Sequence, residues 1–185
     1  MIGKGKSISH GVAALEYDLA KEINGQAVAT EIARHELYGC TGAEMVQEMK
    51  PYHIDFPNVK NNCLRFEVSP SIEESATFTD ADWAELGNDF MQRMGLANHQ
   101  YIIIRHSGTE SKKEQAHLHI LANRVSLSGE LYRDNWIGKK ATEAANAIAK
   151  ERNFVQSQDI GKVNKAEIKE AMDGVLKKMQ GFDFT

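Results

Sequence analysis

The sequence predicts an α+β fold, a central antiparallel β-sheet with helices packed on it. Three observations lead there. Residues Cys63 to Ser69 alternate, with Leu64, Phe66 and Val68 on one face and Cys63, Arg65, Glu67 and Ser69 on the other. That is a half-buried strand, stopped by Pro70. Two further apolar runs, Gln100–His106 and His117–Val125, succeed each other across a polar segment that a hairpin would span. Other segments repeat apolar residues at helical spacing, and strands joined partly by hairpins favour an antiparallel sheet.

The elements follow in order. Ser9 or His10 precedes a helix with Val12, Leu15 and Leu19 on one side, ending near Asn24-Gly25. Gln26 to Lys50 reads as helical in two pieces, broken around Tyr38 to Gly42, and Pro51 to Asn62 as a loop. After the Cys63–Ser69 strand, Thr79 caps a helix whose stripe is Trp83, Leu86, Phe90 and Met94. Asp80 and Asp82 suit the positive end of its dipole, and Gly95 ends it. The two apolar strands come next, then a turn at Ser128-Gly129 into a short strand, Glu130 to Tyr132. Helices over Ala141–Asn153 and Asn164–Met179 complete the chain. Residues 1–160 read as one domain, and 161–185 as a charged C-terminal helix at its edge.

Composition excludes several classes. With 185 residues, 42% hydrophobic and 26% charged, the chain has enough material for one full core. It contains no apolar run of about 18 residues, so no membrane insertion is expected. The first residues, MIGKGKSISHGV, lack the apolar stretch of a secretory signal. Cys40 and Cys63 form no CxxC pair, which fits a reducing cytoplasm and argues against a disulfide framework. The net charge of −4 is unfavourable for a nucleic-acid binder taken as a sum, but its distribution matters more. Phe66 to Phe90 holds seven acids and no Lys or Arg, whereas Tyr101 to Lys140 is net basic. Solvated surface also accounts for such charges.

The chemistry-bearing residues cluster in that basic half. His117 and His119 lie on one face of a strand, because side chains alternate with period two. His106 closes the facing run, so a hairpin could bring three imidazoles to one divalent metal. Such ligands suit Zn²⁺ or Ni²⁺ by affinity, so they do not identify the metal. Tyr17 sits two residues from both Leu15 and Leu19, roughly 160° from the buried stripe. Its neighbours Ala13, Ala14 and Ala20 are small. A functional tyrosine and one packed on another helix both fit this pattern.

The segments MIGKGKSISHGVAALEY, NNCLRFEVSP, MGLANHQYIIIRH, HLHILANRV and DNWIGKKATEAA occur in this order over Met1 to Arg152. Together they resemble the relaxases, the mobilisation nucleases of mobilisable plasmids and conjugative elements, within the His-hydrophobic-His endonucleases. The resemblance implies that fold and a cytoplasmic, metal-dependent DNA transesterase. Such an enzyme nicks one strand at an origin of transfer, remains on the 5′ phosphate, and so initiates conjugative mobilisation. It implies Tyr17 as nucleophile, His106, His117 and His119 as ligands of Mg²⁺ or Mn²⁺, and Asn123 as a residue orienting a ligand or holding DNA. Single-stranded DNA and accessory mobilisation proteins are the implied partners. Family members are often longer, so the last helix reads as the start of a longer chain.

One departure stands out. Members usually carry an Asp two residues after the first metal histidine, where this chain has Gly108, and a shorter loop than SGTESKKEQA. Glu110, Glu114 or Glu67 could replace it. Glu67, on the polar face of its strand, could support an imidazole or accept a proton, or simply pair with Arg65. The departure leaves two alternatives open: a catalytically impaired DNA-binding module, and a metal-dependent nuclease that uses water. GKGKS at Gly3 to Ser7 lacks the upstream glycine and strand of a P-loop, so nucleotide binding is rejected, although Lys4 and Lys6 could touch DNA phosphates. Arg105, Lys112, Lys113, Arg124, Lys139 and Lys140 are further candidates for DNA contacts. Trp136 could stack a base or sit in the core. His10, His35, His53 and His99 read as surface. Tyr38, Tyr52, Tyr101 and Tyr132 are rival nucleophiles, with Tyr101 on the strand face opposite His106.

Overall fold

The structure, a computed structural model, describes residues 1–108 and 115–179. In chain order the elements are β1 (Ile2–Ile8), α1 (Gly11–Leu19), β2 (Glu22–Ile23), β3 (Gln26–Ala27), β4 (Ala29–His35) and α2 (Gly42–Met49). A 3-10 turn over Lys50–His53 leads towards β5 (Cys63–Ser69), α3 (Ile72–Ser75), α4 (Asp80–Arg93), β6 (His99–His106) and β7 (His117–Ser126). The chain continues as α5 (Ile137–Glu151) and α6 (Ser157–Met179). Five strands form one sheet in the order β1-β5-β7-β6-β4, every pairing antiparallel. The predicted α+β architecture is therefore the one found.

Period two divides the sheet into two faces. Leu64, Phe66, Val68, Ile103, Leu118 and Ile120 point to one side, where α4 and α5 bury Trp83, Leu86, Phe90, Ala145 and Ile148 against them. On the other side Ile8, Ile102, Ile104 and Leu121 pack under Leu15 of α1 and Met45, Val46 and Met49 of α2. α4 begins at the Thr79 cap the sequence indicates, and the cap is a full capping box, Thr79 Oγ1 accepting from the Asp82 N–H at 3.3 Å. α2 has an equivalent box at Thr41 and Glu44.

Five elements differ from expectation. Residues 2–8 form an edge strand, which the sequence conceals because Gly3 and Gly5 supply no apolar side chains. Those glycines face α5: a Cβ at Gly3 would lie 2.5 Å from the Ala141 carbonyl oxygen. α1 ends at Leu19, and Asn24-Gly25 instead turns the small β2–β3 hairpin, both residues having positive φ (53° and 75°). Ala29–His35 is a strand, not the first helical piece. A bulge between Glu31 and Ala33 breaks its alternation, and pairing with β6 overrides the helix propensity of its Ala, Glu and Arg. Residues 130–132 make only an isolated bridge, Val125 to Leu131. The last helix begins at Ser157, earlier than predicted. Among the described residues no helix is long and apolar enough to cross a membrane.

The Gly3 contact is testable. Gly3→Ala should separate β1 from α5 and lower unfolding free energy by about 1–3 kcal/mol, read from the urea midpoint. An unchanged midpoint would mean that α5 yields without cost.

Candidate active site

Two neighbouring strands and one helix end build the site. His106 on β6 is directly opposite His117 on β7, and His119 follows on the same face. One nitrogen from each of the three rings lies within 4.8 Å of the others. Nε2 of His117 and Nε2 of His119 are 3.1 Å apart, and the His106 and His119 ring centres 4.4 Å. Ligands of an ion held at about 2.1 Å stand about 3 Å apart, so small side-chain adjustments would close the set.

The C-terminal end of α1 seals this cluster from one side. Asp18 sits on the buried stripe with Ala14 and Leu15 and is 1% exposed. Its backbone carbonyl accepts from His106 Nε2 at 2.7 Å. Its carboxylate accepts two bonds from Arg65 on β5, at 2.5 and 3.0 Å, and its Oδ1 lies 3.8 Å from His119 Nδ1. Arg65 Nη2 is itself 3.3 Å from that nitrogen. The third ring is held through Nδ1, 3.2 Å from the Gln115 carbonyl. Removing one partner of a buried pair such as Asp18–Arg65 costs about 3–5 kcal/mol.

Burial sets the electrostatics. It pushes the pKa of His106 below its ordinary 6.5, against the pull of the Asp18 carbonyl and carboxylate. It pushes His119 down to about 2, helped by the positive charge of His106, His117, Arg65 and Lys4. Burial raises the pKa of Asp18, and Arg65 opposes that rise. His106 and His119 therefore keep lone pairs available at neutral pH. The donor set fits a divalent cation, with His106, His117 and His119 as the residues that would hold it.

Tyr17, one residue before Asp18, points outward. It is 56% exposed, and Lys21 donates to its oxygen at 2.8 Å. The phenol is thus outside the core, beside residues that touch the imidazoles. Of the rival tyrosines, Tyr101 is buried and donates to Asn88, while Tyr38 is exposed and bonded to Glu36.

A cleft of about 190 Å³ adjoins the cluster, lined by Lys4, Lys6, Arg65, Glu67 and His119. Lys4 and Lys6 lie on the imidazole side of β1, since Gly3 and Gly5 face α5. Glu67 is in register with His119 but accepts from Lys4 Nζ at 2.8 Å, not from Arg65. Arg105 and Arg124 are on the other face of their strands. They pair with Asp80 and Asp134, and Arg124 also donates to two backbone carbonyls. Trp136 is 80% exposed, in a left-handed conformation (φ 59°) at the start of α5. Lys139 is 3.8 Å from Glu143, and Lys140 donates to the Arg133 carbonyl. Glu110, Lys112, Lys113 and Glu114 lie outside the described residues.

Asn123 does not reach the imidazoles. Its side chain joins His53 Nε2 (2.7 Å), the Val125 N–H, the Gln100 side chain and the Met49 carbonyl, pinning the end of α2 to the sheet. His53 and His99 are consequently not surface groups. His53 serves that network, and His99 is buried with Nδ1 against the Asn123 carbonyl. His35 stacks on Tyr101 with ring centres 5.3 Å apart. Sequence reasoning missed Asp18 and Arg65. A carboxylate three residues after Leu15, on the buried side of an otherwise apolar stripe, was the available signal.

The family described as relaxase, MobA/VirD2-like, nuclease domain, matches residues 17–154. No curated protein matches the sequence. Among solved structures, the conjugative relaxase TrwC in complex with oriT DNA is similar in its metal-free form (TM-score 0.49, 10% identity) and its metal-bound form (0.48, 12%). Each match covers 86% of this chain and 70% of the TrwC chain.

The depressed imidazole pKa values have a consequence for stability. Below pH 6.5 the unfolded chain binds protons that His106 and His119 refuse when folded, so stability falls as pH falls. His53 and His99, also depressed by burial, act with the same sign. In EDTA, Tm should drop from roughly pH 7 to roughly pH 5, and His119→Gln should flatten that slope. An equal slope in the variant would assign the loss elsewhere.

Proposed function

The chain belongs to the relaxase family through its MobA/VirD2-like nuclease domain, and on that premise we propose that it nicks one DNA strand by tyrosine transesterification. The observation that carries this reading is the junction at α1: Tyr17 is exposed, and the next residue holds His106 and pairs with the arginine beside His119.

In this mechanism the substrate is single-stranded DNA at an origin of transfer. Lys4 and Lys6 bind its phosphates beside the imidazoles, fixing register without reading sequence. Trp136, Lys139 and Lys140 add stacking and charge further along the strand. The Tyr17 oxygen attacks the scissile phosphorus and forms a 5′-phosphotyrosyl ester. The bond from phosphorus to the 3′ oxygen breaks, and the 3′ hydroxyl leaves with a proton in exchange for the one the phenol loses. The ester conserves the bond's free energy, so the strand can be rejoined. His106, His117 and His119 would hold a divalent ion, with Mg²⁺ or Mn²⁺ favoured, which would supply positive charge to the phosphate oxygens as negative charge develops. Lys21 donates its ammonium hydrogen to the Tyr17 oxygen and so fixes where that oxygen sits. Residues 1–160 make up the catalytic unit, acting in the cytoplasm with accessory mobilisation proteins.

Two experiments test this reading. Tyr17→Phe should abolish the denaturation-resistant protein–DNA adduct while DNA affinity stays within about threefold, because the phenol oxygen is a small part of the contact surface. A persisting adduct would point to another nucleophile, and a free 5′ phosphate product to a water-using nuclease. His119→Ala, or EDTA on the native protein, should cut the nicking rate by about 10²-fold or more. Full activity after either would exclude the three-histidine centre.

A further inference from the structure

Asp18 reaches the imidazole cluster twice, by its backbone and by its carboxylate. The contacts around His119 make the second reach informative. Arg65 Nη2 lies 3.3 Å from His119 Nδ1, and a guanidinium can only donate. Nδ1 therefore accepts, and the neutral ring carries its hydrogen on Nε2. That agrees with the 3.1 Å separation from His117 Nε2, a donor facing an acceptor. His117 Nδ1, turned to the Gln115 carbonyl, carries the other ring's hydrogen and leaves its Nε2 as that acceptor. In this arrangement His119 has no lone pair at Nε2 to offer an ion.

An ion bound through Nε2 requires the hydrogen on Nδ1, and a ligating histidine ordinarily gives that hydrogen to a carboxylate or a carbonyl. Asp18 Oδ1 is 3.8 Å from Nδ1, about 0.6 Å beyond bonding range. A carboxylate has about four lone-pair sites, so Oδ1 can accept from His119 without releasing Arg65. We propose that Asp18 is the positioning residue of the metal centre. Its carboxylate takes the His119 Nδ1 hydrogen when the ion binds, replacing Arg65 at that nitrogen, while its backbone carbonyl holds His106. Asp18 then does the work of the family carboxylate that Gly108 lacks. Because Tyr17 precedes it, loading the ion also fixes the helix end that carries the nucleophile.

This role rests on the three-histidine metal centre, and the test separates the two. Mn²⁺ and Zn²⁺ are titrated calorimetrically into the native chain and Asp18→Asn, with thermal unfolding checked in EDTA. Nitrogen-15 NMR of the His119 ring is recorded on the native chain, metal-free and loaded with diamagnetic Zn²⁺. The expected results are a 10–100-fold loss of affinity in Asp18→Asn and a tautomer change in the native ring, hydrogen on Nε2 without metal and on Nδ1 with it. If Asp18→Asn does not fold, the native tautomer change alone decides. Native binding with an unchanged tautomer, or a folded Asp18→Asn with native affinity, overturns the role of Asp18 and leaves the metal centre standing. Failure of the native chain to bind either ion overturns both.

Discussion

The Asp18–Arg65 ion pair, with the hydrogen bond from His106 to the Asp18 carbonyl, is the constraint on which the site depends. It ties the end of a short helix to three strands at once: β5 through Arg65, β6 through His106, and β7 through the neighbouring His119. Burying a charged pair gains little by itself, because desolvation offsets most of the attraction. Its value here is specificity of placement. A hydrophobic pair could dock α1 with similar stability but would not hold two imidazoles at a fixed distance.

The sheet is used asymmetrically for the same reason. One face is covered by α4 and α5 along the length of the central strands, its apolar core bordered by Arg105 and Arg124, which pair with Asp80 and Asp134. The other is covered by α1 and α2 over part of its length. The uncovered part holds Lys4, Lys6, Arg65, Glu67 and His119, with His106 and His117 buried behind them. Gly3 and Gly5 let α5 approach β1 closely on the far side, so the edge strand is anchored while its lysines remain in the cleft. A chain of net charge −4 thereby gathers Lys4, Lys6 and Arg65 at one cleft, with Glu67 pairing Lys4 and Asp18 pairing Arg65.

Much of this was legible in the residue pattern. The β5 alternation, the Thr79 cap and the pairing of His106 with His117 all follow from local periodicity and are found as expected. What stayed hidden depends on partners distant in sequence. Glycines in β1 erase the apolar signal that marks a strand. The bulge in β4 shifts its period, so its Ala, Glu and Arg content favours the wrong reading. Asn123 shares the parity of His117 and His119, yet parity fixes a face and says nothing of position along it. Four residues of strand carry it about 13 Å onward, to the end of α2. The partner of Arg124 is hidden in the same way: its charge is legible in the sequence, but not Asp134, which pairs with it.

Helical spacing explains how adjacent residues on α1 divide their tasks. Consecutive helical residues are separated by about 100°, so a helix whose stripe is Ala14, Leu15 and Asp18 must turn Tyr17 toward its rim. A tyrosine one position later would fall on the stripe and have its oxygen buried; one further from Asp18 would not inherit the placement that the ion pair enforces. In the proposed mechanism the phenol needs solvent access to receive a DNA strand, and a fixed distance from the imidazoles to meet the same phosphate. Placing it immediately before a buried carboxylate satisfies both, because the backbone between them transmits position while the helix rotation separates their environments.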